Sequence, residues 1–217
     1  MFDIEALLLS FKLALWTLVV LLPIGTWVAY SLTATGKWKS WLEAVLALPL
    51  VLPPTVLGYY LLLGLGGMSF LGFPLAFSFI GIVIASCIVN IPFIIQPIQR
   101  AFESIDPEIK EAAQISGLSQ WQSFRLIELP LAWRGITSAA VLTFAHTLGE
   151  FGVILMVGGA IPGETKTASI AIYDKVQGFD HSGASVLSLL LLSISLAAIA
   201  LSYGVFGRGR TQFARAN

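Results

Sequence analysis

Charge is what this sequence has least of: Asp, Glu, Lys and Arg make up only 11% of its 217 residues, against roughly 25% in an ordinary soluble domain. Formal charge is also lacking, since 12 basic and 12 acidic side chains cancel, so no overall electrostatic footprint for nucleic acid exists. One cysteine, Cys87, rules out an intrachain disulfide and reads as a small packing residue before a reactive thiol. No Gly-x-x-x-x-Gly-Lys-Ser/Thr loop occurs; in the nearest approach, Gly158 to Gly163, the next residue is Glu164. The chain therefore has no phosphate cradle of that kind for ATP.

What remains is apolar: 57% of the residues are hydrophobic, and the solvent that suits such a chain is a bilayer. A spanning helix needs about 20 largely apolar residues. Five segments meet that length, near 6–32, 42–66, 77–99, 131–158 and 185–207, which makes the chain one all-α membrane domain over 1–217, with its core at about 8–206. The first span carries Asp3 and Glu5 ahead of it where a secretory signal would carry Lys or Arg, so it is expected to be retained. Nine of the 12 basic residues (Lys37, Lys39, Arg100, Lys110, Arg125, Arg134, Arg208, Arg210 and Arg215) fall on one side if the spans alternate. Basic residues concentrate in cytoplasmic loops, which places the C-terminus and the 104–130 connection inside and the N-terminus outside. The Arg208–Arg215 tail reads as an anchor on anionic lipid.

The spans are interrupted. Pro49, Pro53 and Pro54 fall in the second and Pro92 and Pro97 in the third, each removing a backbone donor and freeing a carbonyl. Hydrocarbon tolerates this only beside protein or a water-filled cavity. The prolines fit kinked packing helices; with Thr55, Ser86, Asn90 and Gln96 nearby they also fit helices that line a pathway. Lys12 and Glu150 both lie roughly 10–12 Å inside their spans, and a charge there is costly unless paired. They are expected to pair within a subunit or across a dimer. The alternative is that Lys12 snorkels outward and Glu150 holds a kink between Gly149 and Gly152. His146 lies one turn before Glu150, but no third ligand is near, so no metal site is expected.

The 104–130 connection contains DPEIKEAAQISGLSQWQSFRLIELP. Asp106 caps a helix with Pro107 at its first position, and Glu108 and Glu111 suit the positive end of the dipole. Gly117 ends that helix. Ser119 and Gln122 form a capping box for a second helix running to Leu129 and Pro130. The outline is that of a helix-turn-helix, yet Asp106, Glu108, Glu111 and Glu128 outnumber Lys110 and Arg125 and would repel phosphates. Ala112, Ala113 and Gly117 are small enough to admit a facing protein surface, and Glu111 offers it a carboxylate.

The pattern Glu111-Ala112-Ala113, three residues, Gly117, nine residues, then Ile127-Glu128-Leu129-Pro130 resembles the cytoplasmic coupling loop of permease subunits of bacterial ATP-binding-cassette importers. LPLVLPPTVLGYYLL in the second span and LGEFGVILMVGGAIPGETKTASIAIY after the fourth resemble its molybdate permease branch, which is related to sulfate, thiosulfate and tungstate permeases. The likeness runs from about residue 10 to 205. It implies a type I importer fold of five spans with a coupling helix pair between the third and fourth. It implies too a homodimer in the bacterial inner membrane, two cytoplasmic ATPase subunits and an external oxyanion-binding protein. This chain would then be no enzyme and carry no cofactor, ATP being bound by the partner.

Under that reading Glu111, Ala112, Ala113 and Gly117 couple to the ATPase. Pro53, Pro54, Thr55, Ser86, Asn90 and Thr143 are the pathway candidates, giving an oxyanion weak contacts rather than a tight site. The outer connection, residues 159–184, is either a docking surface for the binding protein or a solvated loop, with the Ala168 to Tyr173 part expected to be helical or interfacial. Two other classes fit less well. An ion-driven carrier would want acidic or histidine relays in several spans, and an intramembrane hydrolase a nucleophile in a Gly-x-Ser-x-Gly setting. Neither accounts for the capped cytoplasmic helix pair.

Overall fold

A computed structural model of the chain describes residues 3–70 and 72–207; the three tail arginines lie outside them. Helix α1 spans Ile4–Thr33, α4 Phe79–Glu103 and α10 His181–Gly207, each long and apolar enough to cross a bilayer by itself. The expected second and fourth spans are bent pairs: α2 (Lys39–Val51) with α3 (Pro54–Gly66) at 104°, and α7 (Leu129–Gly149) with α8 (Gly152–Gly158) at 62°. Counting each pair as one gives five.

The stretch 42–66 is thus two helices rather than one kinked span, and the double proline is the reason. A residue before proline is pushed out of the α region, and here Leu52 (ψ 135°) and Pro53 (ψ 134°) are both extended. Two successive extended residues turn the chain where a single proline would only bend it. Pro92 and Pro97, by contrast, sit inside an unbroken α4.

Helices α1, α4 and α7 form the central layer. Leu21, Ala29, Ile94, Ile98, Phe102 and Ala132 fill the middle of it, with Ile105 and Phe124 closing the end next to the 104–130 connection. Close approach depends on glycines. A methyl at Gly25 would come within 2.8 Å of the Ile94 side chain, and one at Gly135 would collide with the Ala101 methyl. At Gly64 nothing lies within 4 Å. Gly135→Val is therefore expected to destabilise the protein by about 3 kcal/mol, the upper range for overpacking. Gly64→Ala should be neutral or slightly stabilising, since alanine favours helix. Denaturant unfolding in detergent separates the two; equal stabilities would refute this account of the α4–α7 contact.

A hairpin of β1 (Ser69–Phe70) and β2 (Phe73–Pro74) leads into α4, whose first turn is capped by Ser78 Oγ accepting from Gly81 N–H. Beyond α8 the outer connection is packed in its middle and exposed at residues 160–164 and 176–182. Thr165, Ala168, Ile170 and Ala171 are fully buried, and the Ala168 N–H, the first of helix α9 (Ala168–Gln177), donates to Ser10 Oγ of α1 at 2.8 Å. The 168–173 part is helical, and the helix runs one turn further. At the head of α10, Asp180 accepts from Gly183 N–H, and that bond first, then Lys175 and Ser182, holds its carboxyl below the usual range.

Candidate functional site

The 104–130 connection folds largely as its caps dictate. Asp106 Oδ1 accepts from Glu108 N–H at 3.0 Å and starts α5 (Pro107–Ile115). Gly117, at φ +80°, stops it, with Leu118 N–H reaching back to the Ala113 carbonyl as in a Schellman turn. Both halves of the Ser119–Gln122 capping box are made, opening α6 (Gln120–Ser123). The second helix does not end at Pro130, however. It passes through a π turn, Phe124–Glu128, directly into α7. Proline is accommodated there by the wider π turn before it, in which Leu129 N–H reaches back to the Phe124 carbonyl.

Glu128 is the group that charge counting misreads. Its acidity places it on a solvated face; the structure buries it to 4% exposure. Its Oε1 accepts from Tyr30 Oη of α1 and from Ser123 Oγ, both at 3.2 Å, and its Oε2 pairs with Lys110 Nζ of α5 at 3.4 Å. Lys110 also donates to the Phe102 carbonyl at the end of α4. One carboxylate thus ties α5, α6, α1 and the start of α7 into a unit. A clue was present in the sequence: Glu128 lies between the apolar Ile127 and Leu129, a setting that favours burial over solvation.

The outer face of this unit is chemically mixed. Ile115 is 88% exposed and Trp121 64%, with Ile109 and Leu126 also uncovered. Glu111 is exposed one turn before Ile115, so the carboxylate and the isoleucine share a helix face. Ala112 and Gly117 are exposed too. Ala113 is not: at 3% exposure it packs inward, and it supports α5 rather than meeting anything from outside.

Within the membrane layer the pathway candidates separate into two groups. Pro53, Pro54 and Thr55 are exposed at the α2–α3 break. Ser86, Asn90 and Thr143 are fully buried between helices within the single chain. Ser86 Oγ accepts from Thr17 Oγ1 at 3.0 Å, and Asn90 Nδ2 donates to the Ser86 carbonyl at 2.8 Å. Asn90 Oδ1 lies 3.1 Å from His146 Nδ1, which donates to it in the Nδ1–H tautomer. His146 stacks on Phe93 with ring centroids 3.9 Å apart. Thr143 Oγ1 has no hydrogen-bond partner among the described residues.

Lys12 and Glu150 make no ion pair within the chain. The Lys12 ammonium sits 4.3 Å from the centre of the Phe79 ring at the α1–α4 seam. Glu150 lies at the α7–α8 break, where it accepts from Val153 N–H at 3.4 Å and comes within 3.9 Å of His146 Nδ1. Ser169 Oγ of α9 donates to the Glu150 carbonyl at 2.6 Å. Within the chain Glu150 serves the break between Gly149 and Gly152, its carboxylate accepting from an N–H that the interrupted helix leaves unpaired; pairing with Lys12 across a dimer would take a second copy. A cavity of about 170 Å3 lies beside it, lined by Pro49, Leu52, Pro54, Phe93, His146 and Glu150. It joins the two helix breaks.

Residues 21–210 match the family described as binding-protein-dependent transport system inner membrane component. The chain is 44% identical over 195 residues to the molybdenum transport system permease protein ModB of Azotobacter vinelandii, covering 86% of each. To the Escherichia coli K12 protein of the same description it is 39% identical over 207 residues, covering 91% of this chain and 90% of that one. Its fold is shared with a chain of a bacterial ABC transporter involved in the import of the acidic polysaccharide alginate. There the TM-score is 0.75 at 18% identity, over 95% of this chain and 79% of the other. With the match running from the middle of α1 through α10, and two relatives similar over nearly their full lengths, this chain belongs to the family of binding-protein-dependent transport system inner membrane components.

Proposed function

We propose that this chain is the permease of a bacterial ATP-binding-cassette importer for molybdate, acting as a homodimer driven by two cytoplasmic ATPase subunits and fed by an external oxyanion-binding protein. The observation that carries the drive is the α5–α6 knob: an exposed face of Ile115, Trp121 and Glu111 on a unit fastened to α1 and α7 through Glu128. A surface of that kind transmits displacement, because the helices behind it cannot shift without it. The substrate rests on the two ModB relatives.

In the working cycle ATP draws the ATPases together, the two knobs follow, and the paired bundles rock between inward-open and outward-open forms. The knob and the C-terminus face the cytoplasm, in keeping with the basic residues on that side. The path lies on the two-fold axis with Pro53, Pro54 and Thr55 at its wall, the Ser86–Asn90–His146 contacts bracing it from behind. Backbone groups at the α2–α3 break and the Thr55 hydroxyl give the dianion brief contacts.

The test is uptake of radiolabelled molybdate into vesicles holding the permease with its ATPase and binding protein, with tungstate and sulfate as competitors. ATP-dependent molybdate uptake that survives a collapsed ion gradient is expected. Uptake that persists without ATP but stops when the gradient collapses would overturn the mechanism. Uptake of sulfate in preference to molybdate would overturn the substrate.

A further inference from the structure

Lys12 is a cation set two turns inside α1 on a face that the chain leaves open. Beside it a groove of about 350 Å3 runs along the α1–α4 seam, lined by Lys12, Trp16, Phe79, Ile80 and Val83. Lys12 is exposed, Trp16 is 51% and Ile80 44% exposed, so the groove opens to the outside of the bundle. Apart from the ammonium its walls are hydrocarbon and aromatic. The ammonium meets only the Phe79 ring; no carboxylate among the described residues lies within ion-pair distance. Glu5, on the same helix, is seven residues nearer the end, about 10 Å along the axis.

Depth decides which anion could come. Phe79 is the first residue of α4, so the ammonium, although two turns inside α1, is held level with the end of that helix, from where a lysine can snorkel to a lipid headgroup. A second copy of the chain is poorly suited to supply the charge. Glu150, the acidic residue at a like depth in its own span, is 8% exposed and engaged with Val153 N–H. An apolar slot with one cation at its mouth is the complement of a phospholipid whose headgroup carries net negative charge.

We infer that the Lys12 groove is a binding site for an anionic phospholipid in the leaflet at the N-terminal end of α1. The phosphate sits against the Lys12 ammonium, and an acyl chain lies over Trp16, Ile80 and Val83.

Brominated lipids test this through Trp16. The full chain is reconstituted in phosphatidylcholine vesicles with increasing fractions of brominated phosphatidylglycerol or brominated phosphatidylcholine. Subtracting the same titration of Trp16→Phe isolates the quenching of that indole from the other five. The expected result is an apparent preference for phosphatidylglycerol of about five-fold, the factor that one basic residue near an anionic surface supplies. Lys12→Gln should lose the preference while Lys12→Arg keeps it. Because all three retain the apolar walls, phosphatidylcholine quenching in Lys12→Gln reports that the groove is intact. Equal quenching by the two lipids in the unsubstituted chain, or an undiminished preference in Lys12→Gln, would overturn the site. So would a Trp16 that neither lipid quenches, the outcome if a second copy covers the groove.

Discussion

Glu128→Ala is expected to lower the unfolding free energy by about 3 kcal/mol, at the low end of the cost of removing one partner from a buried ion pair. Lys110 is partly exposed, with 30% of its side chain reached by solvent, so it can recover some hydration and the figure stays at that low end. The loss extends beyond charge, because Tyr30 Oη and Ser123 Oγ donate to the same carboxylate and both would be left unmatched. Glu128→Gln keeps an acceptor for those hydroxyls while giving up the pairing with Lys110, and should cost less, about 1–2 kcal/mol. Denaturant titration in detergent measures both. Hydrogen exchange should localise the damage: amides of α5 and α6 lose protection while those of α4 keep theirs. Alanine and glutamine variants of equal, unchanged stability would show that the carboxylate ties nothing together.

The second large effect is functional. Glu111→Lys reverses a charge on the exposed face of the knob, and Gly117→Val puts a β-branched residue at φ +80°, where a non-glycine residue costs roughly 1–2 kcal/mol. No atom lies within 4 Å of the Cβ that Gly117 would gain, so the strain resides in the backbone, and relieving it re-aims α6 against α5. Both variants should insert at normal levels, since neither position faces the bundle. Both should reduce ATP-driven uptake by about ten-fold or more, which an altered docking energy of only about 1.4 kcal/mol suffices to produce, while the ATPase subunits continue to hydrolyse ATP. Uptake at the unsubstituted level in both variants would remove the coupling role of this face. If uptake falls only in Gly117→Val, the knob's shape matters and its carboxylate does not.

The same segment shows what is readable without coordinates. Asp106, Pro107, Gly117, Ser119 and Gln122 act on neighbours within three or four residues, through side chain to backbone bonds and through allowed φ values. Every one of these caps appears where its spacing puts it. The end of the second helix does not, because Pro130 can begin a helical turn as readily as follow one, and only the continuation into α7 selects between the two. Ala113 and Glu128 are likewise undecided locally. A small residue on a helix suits the inside and the outside equally, and a carboxylate is buried only if partners arrive from elsewhere. Those partners, Tyr30 and Lys110, are 98 and 18 residues away in sequence.

The membrane layer divides in the same way. Composition determined the solvent and run length the number of crossings, since both follow from the chain's own transfer to hydrocarbon; that Pro53 and Pro54 break the second crossing while Pro92 and Pro97 leave α4 whole appeared only in the structure. Tertiary structure alone decided that Ser86, Asn90 and Thr143 pack inward and that Lys12 finds an aromatic ring instead of Glu150. It also decided that Glu150 serves the break beside it. Those outcomes depend on which helix faces meet, and residues at equal depth in a bilayer can stand on opposite sides of a bundle. Hydropathy reports depth and says nothing of azimuth, which is settled by close approaches such as Gly25 to Ile94 and Gly135 to Ala101.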